Sequence, residues 1–137
     1  MKITLNKMEK EIYVSDLELS LDYYTTIFGL KENDSRLIDE KKELCFSLKQ
    51  AMNLNDVRPQ KLSPEVCGDV NTIEDFYKLY LKLKENGALF AYNPRDTYSN
   101  GRRAKEFAIR DIDGYVIAFK TVIQHSDIKY LEHSLES

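Results

Sequence analysis

The sequence predicts an α+β fold, on three observations. A strand, a helix and a set of further strands occur in that order twice along the 137 residues. Asp16-Leu17 and Asp69-Val70 stand at matching points of the two runs. Near the end, EFAIRDIDGYVIAF (106–119) sets Asp113-Gly114 between two apolar, β-prone stretches. Asp-Gly takes the positive φ angles of a tight turn, so it joins two antiparallel strands. A repeat of this size implies two half-units that complete each other's core. Each helix then covers one face of a curved sheet and leaves the other as a concave surface.

The elements follow in order. KEIYVS (10–15) alternates and predicts a strand. LELSLDYYTTIF follows with Leu17, Leu21, Tyr24 and Phe28 at helical spacing, Asp16 placed to cap it and Gly29 to end it. Residues 30–38 read as extended. ELCFSLK (43–49) alternates with Leu44, Phe46 and Leu48 on one face, and 51–62 look irregular. PEVCGDV (64–70) is a short strand. Asn71 or Thr72 then begins a helix through Glu85, with Ile73, Phe76, Tyr77, Tyr80 and Leu83 as its apolar stripe and Asn86-Gly87 as its close. ALFAY (88–92) is a strand, NPRDTYSNG (93–101) a polar loop, and 104–111 with 115–122 the hairpin. The polar segment 123–137 is expected as a loose or short helical tail.

A chain of this length fits one domain, or two small halves sharing a sheet. The net charge of −3 and the lack of a basic cluster denser than Arg102-Arg103 with Lys105 argue against a nucleic-acid partner. No apolar run reaches membrane-spanning length, and MKITLNKMEKE lacks the apolar stretch of a signal peptide, so a cytoplasmic protein with no membrane partner is expected. Cys45 and Cys67 are too few and too far apart for a CxxC motif and read as buried thiols. His125 and His133 both fall in the C-terminal segment, so no Ser-His-Asp or Cys-His set can be assembled within the fold. No catalytic residue is assigned.

Three stretches together resemble the vicinal oxygen chelate superfamily, which includes glyoxalase I, the bleomycin resistance proteins and the extradiol dioxygenases. IYVSDLELSLDYYTTIFGLK is similar to its first-half signature through Asp16-Leu17, Ser20, Tyr23-Tyr24 and Phe28-Gly29. DVNTIEDFYKLYLKLKENGA is similar to its second helix. EFAIRDIDGYVIAF is similar to its Glu-Phe…Arg-Asp-Pro-Asp-Gly hairpin, with Ile112 replacing the usual Pro. The resemblance implies two βαβββ modules, about 8–58 and 62–122, in a single domain over 1–122. It also implies a homodimer with small-molecule sites in the concave sheets.

Metal-dependent members hold one divalent ion with four side chains, typically His or Gln, Glu, His and Glu. Carried over by spacing, the first position falls at Glu9, the third at Ser63 and the last at Ala118. The remaining one lies around Cys45 and Ser47. A methyl group at 118 and a hydroxyl at 63 make a poor donor set. No metal and no other cofactor is expected. Side-chain alternation instead places Glu9, Glu11, Tyr13, Glu43, Cys45 and Ser47 on the groove side of the first half. The second half adds Ser63, Glu65, Cys67, Asp69, Glu106, Ala108, Arg110, Val116, Ala118 and Lys120.

The ligand-contact candidates are Glu9, Glu11, Tyr13, Cys45, Ser47, Glu65, Tyr98 from the loop, Arg110 and Ala118. Each has a plainer reading. The carboxylates can be solvated strand ends, Arg110 can pair with Glu106, and Tyr98 can sit in a solvent loop. Tyr23, Tyr24, Tyr77 and Tyr80 share helical spacing and read as core or dimer-interface residues. The expectation is a glyoxalase/bleomycin-resistance-like protein that binds a small organic, cationic or amphipathic molecule without catalysis. The alternative is a metal-dependent lyase, isomerase or dioxygenase using atypical ligands such as Glu9 and Cys45.

Overall fold

Alternating apolar residues and two capped helices organise the chain into two sheets. The computed structural model describes residues 3–5, 11–33, 36–38, 45–59 and 64–127. In chain order these form β1 (Ile3–Leu5), β2 (Glu11–Val14), α1 (Leu17–Phe28), β3 (Lys31–Asn33), β4 (Arg36–Ile38) and β5 (Cys45–Gln50). Then come β6 (Val66–Val70), α2 (Ile73–Glu85), β7 (Leu89–Ser99), β8 (Arg102–Arg110) and β9 (Val116–Val122). One sheet has the order β2-β5-β4-β3 and the other β1-β6-β9-β8-β7. In each module the first strand lies parallel to the last, β2 with β5 and β6 with β9, while the other neighbours run antiparallel. This is the expected pair of βαβββ modules.

Local chemistry sets the helix ends. Asp16 is extended and its carboxylate accepts from the Leu19 N–H at 3.2 Å, while Gly29 ends α1 at φ +68°. Thr72 caps α2 through the Asp75 N–H at 3.1 Å. Both caps satisfy amides that a helix leaves unpaired in its first turn. No described helix is long and apolar enough to cross a membrane.

Three expectations change. β1 was not foreseen; it pairs antiparallel with β6, so a strand from before the first module extends the second module's sheet. Three residues carry too little periodicity to be read. Residues 30–38 hold two strands, β3 and β4, rather than one extended segment. The polar loop over 93–101 is strand as far as Ser99, with only Asn100-Gly101 turning the chain. Pro94 fits because β7 is an edge strand and its pairing with β8 shifts register between Tyr92 and Arg95. The absent N–H therefore falls at an irregularity, not in a regular ladder.

The two modules share one core. Phe28 of α1 packs 5.2 Å from Phe46 and 6.1 Å from Phe119; Phe119 meets Phe107 at 5.6 Å, and Phe107 meets Phe76 of α2 at 5.1 Å, all between ring centroids. The Asp111–Tyr115 turn clips onto the β2–α1 junction. The Tyr24 hydroxyl donates to the Asp111 carboxylate at 2.7 Å, and both the Ser15 N–H and its hydroxyl donate to Asp113. The Tyr115 hydroxyl donates to the Tyr13 carbonyl at 2.7 Å. Tyr23 bridges further, donating to the Arg110 carbonyl at 2.6 Å and accepting from the Leu89 N–H at 3.1 Å. Tyr23 and Tyr24 are thus core and inter-module residues.

Candidate functional site

Strand alternation sorts the second-module sheet into two faces. Phe107, Ile109, Ile117 and Phe119 turn into the core and are fully buried. The residues between them face away from the helices, and the register lines them up in rows. One row runs Cys67, Ala118, Ala108, Tyr92 across β6, β9, β8 and β7. The next runs Asp69, Lys120, Glu106, Arg95. The second row alternates negative and positive charge from strand to strand.

The polar groups of this face interact closely. The Tyr92 hydroxyl donates to Glu106 Oε2. Burial, then this bond and the Glu106 charge, raise the Tyr92 phenol well above its ordinary pKa, so it stays protonated. The Arg95 guanidinium stacks over the Tyr92 ring at 3.6 Å from its centroid. Lys120 Nζ stands 4.0 Å from Asp69 Oδ1. Burial raises the Cys67 thiol; Lys120 opposes that, while Glu106 and Asp69 add to it. A thiol held protonated in this way is a weak nucleophile.

The sequence-derived candidates separate into groups. Ala118 is fully enclosed, with 0% of its surface exposed, and forms floor rather than wall; Glu65 is buried beside β6, its N–H donating to the Val116 carbonyl at 2.8 Å. Glu11, Tyr13 and Ser47 lie on the other sheet, on the face opposite Ile12, Val14, Phe46 and Leu48. There Lys49 Nζ sits 3.3 Å from Glu11, and the Tyr13 hydroxyl donates to the same carboxylate at 3.4 Å. Arg110 ends β8 with an exposed side chain. Among the described residues its guanidinium makes no ion pair with Glu106, which accepts the Tyr92 hydroxyl hydrogen bond instead.

Tyr98 belongs to β7, not a loop, and is 73% exposed. Opposite Arg103, its register sets it on the face that carries Phe107, away from Ala118. Glu9 and Ser63 lie outside the described residues, as do Glu43 and His133. Cys45 is placed on β5, in a different sheet from Cys67. Arg95 was missed because residues 93–101 read as a loop, and Tyr92 because the strand read over 88–92 was given no face.

These residues do not assemble into a metal site. Among them, no group of three His, Cys, Asp or Glu side chains converges to hold an ion. The Ala118 methyl closes the place where the resemblance implies a carboxylate ligand. The described donor set does not fit a metal.

The sequence profile of the Glyoxalase/Bleomycin resistance protein/Dioxygenase superfamily matches residues 4–119. The chain belongs to that superfamily. Solved structures agree on the fold. A glyoxalase/bleomycin resistance protein/dioxygenase from Alicyclobacillus acidocaldarius superposes with a TM-score of 0.63 at 17% identity, covering 90% of this chain and 96% of that one. An integron cassette protein from the Halifax Harbour sewage outfall metagenome gives 0.62 at 16% identity, covering 83% and 96%. A Nocardioides member gives 0.61 at 17%, covering 85% and 83%. No curated protein sequence matches. Within the glyoxalase superfamily frame, the signature residues Tyr23, Tyr24 and Asp111 here do structural work, joining the modules rather than lining the charged face.

Proposed function

We propose that this glyoxalase-superfamily chain binds a small organic molecule on the helix-free face of its second-module sheet and does not transform it. The observation that carries the reading is Ala118, an enclosed methyl at the position where metal-dependent members are expected to supply a carboxylate. The protonated Cys67 and Tyr92 support it, since neither offers a ready nucleophile or base. The carboxylates of the two groove faces suggested a cationic ligand. Their partners favour a more balanced surface: Glu11 has Lys49, Asp69 has Lys120 and Glu106 has Tyr92. An amphipathic molecule whose polar groups carry little net charge suits that balance. A second copy of the chain is the proposed partner and the cytoplasm the proposed compartment, both on the family resemblance and the sequence.

The test is elemental analysis of untagged protein after incubation with Zn, Ni, Mn and Fe(II) and desalting, followed by a fragment screen read by amide NMR. The expected outcome is no metal near one per chain, with fragments shifting the Cys67, Tyr92 and Lys120 amides. An ion retained at one per chain overturns the reading, and Glu9→Ala and Cys45→Ser then show what holds it.

A further inference from the structure

The charged row on the helix-free face has an internal mismatch. Lys120 and Glu106 face each other directly in register on adjacent strands, which lie about 4.8 Å apart. Opposite charges so placed ordinarily close on each other. Here they do not. Glu106 leans toward β7 and spends Oε2 on the Tyr92 hydroxyl, while Lys120 leans toward β6 and reaches only 4.0 Å from Asp69. Between them a cation and an anion stand apart, next to a row floored by the buried Ala108 and Ala118.

Each splayed group keeps unused capacity. The Lys120 side chain is only 26% exposed, and among the described residues its ammonium has the one long ion pair and no hydrogen bond. An ammonium offers three donors, so at least two remain for an acceptor. Glu106 Oε1 likewise has no hydrogen bond among the described residues, although Oε2 is engaged. Arg95 stands opposite Glu106 in register, yet its guanidinium is stacked on the Tyr92 ring and, among the described residues, makes no ion pair with Glu106. A half-buried cation and a half-buried carboxylate, each with open valences and side by side, complement a ligand carrying both charges.

We propose that this face selects a small zwitterion, its carboxylate held by Lys120 and its ammonium by Glu106 Oε1. This rests on the small-molecule reading above and narrows it to a ligand class. A simple cation would leave Lys120 unanswered, and a simple anion would meet Glu106 as a like charge. Either loses one of the two contacts and keeps a repulsion. Tyr92 is a positioning residue in this scheme: its hydroxyl turns Glu106 away from Lys120 and so keeps the gap open.

The experiment compares 4-aminobutanoate, butanoate and butylammonium, equal in chain length and different only in charge, by amide NMR titration of the full chain. Expected is at least about tenfold tighter binding of the zwitterion than of either partner, at the Cys67, Glu106 and Lys120 amides. Lys120→Met should erase its advantage over butylammonium and Glu106→Gln its advantage over butanoate. Tyr92→Phe should weaken all three probes, the zwitterion most because it loses both contacts, with thermal melts confirming that each variant is folded. Equal binding of the three probes, preference for a singly charged one, or no shift with any of them overturns the assignment. Library fragments that bind this face without preferring zwitterions sink the charge proposal and leave small-molecule binding standing. If no fragment binds there, both fail.

Discussion

Asp111 is 3% exposed, yet its carboxylate accepts from the Tyr24 hydroxyl and from the Tyr115 and Asp113 amides. Burial outweighs these bonds and, with the nearby Asp113 charge, raises its pKa from 3.8 to about 6. A carboxyl whose folded pKa lies above its unfolded one stabilises the fold fully below pH 3.8 and loses that contribution as pH rises through about 6. Relative to Asp111→Asn, the wild type should therefore lose on the order of 3 kcal/mol between those limits, read as urea-unfolding free energy against pH. A difference that stays flat would contradict it. Tyr24→Phe removes a donor from this buried acid and should cost about 1.5–3 kcal/mol at neutral pH. Ala118 makes the opposite kind of prediction. Ala118→Glu does not restore a metal ligand but forces a charge into a closed floor. It should lower stability by about 3 kcal/mol without metal retention, seen by melting with and without Zn.

At the scale of elements, β7 shows how composition misleads. Asn93 to Ser99 are mostly polar and none is buried, so no apolar alternation survives to announce a strand. The hairpin signal was nevertheless present in Asn100-Gly101, which adopt φ values of +51° and +78°. Two successive positive φ angles are what a tight turn between twisted strands requires. Gly101→Ala should cost about 1–2 kcal/mol, measured by denaturant unfolding, because a Cβ disfavours that backbone although no atom lies in its way. The helices were legible for the converse reason. Their periodic stripes, the Asp16 and Thr72 caps and the Gly29 stop are short-range signals that need no distant partner.

For the whole molecule, the aromatic chain from Phe46 through Phe28, Phe119 and Phe107 to Phe76 joins the two modules through one core. Phe28→Ala should cost about 3–5 kcal/mol, and far-UV dichroism and tyrosine fluorescence should still give coincident unfolding curves. Two separated transitions would show modules that fold apart. The sequence by itself determined the α+β class, the duplicated module, the capped helices, the superfamily and the hairpin at Asp113-Gly114, although only Gly114 takes the positive φ expected there. It also revealed that Ala118 stands where a ligand is expected. Those features are written in spacings of two to seven residues. Only the tertiary structure decided that the Tyr23-Tyr24 pair clamps one module to the other. It alone set Tyr92 and Arg95 beside Glu106, and left Lys120 and Glu106 facing each other without an ion pair between them. These depend on strand register and on which neighbour each side chain leans toward. Both are settled by packing between segments far apart in the chain, where local sequence holds no record of the outcome.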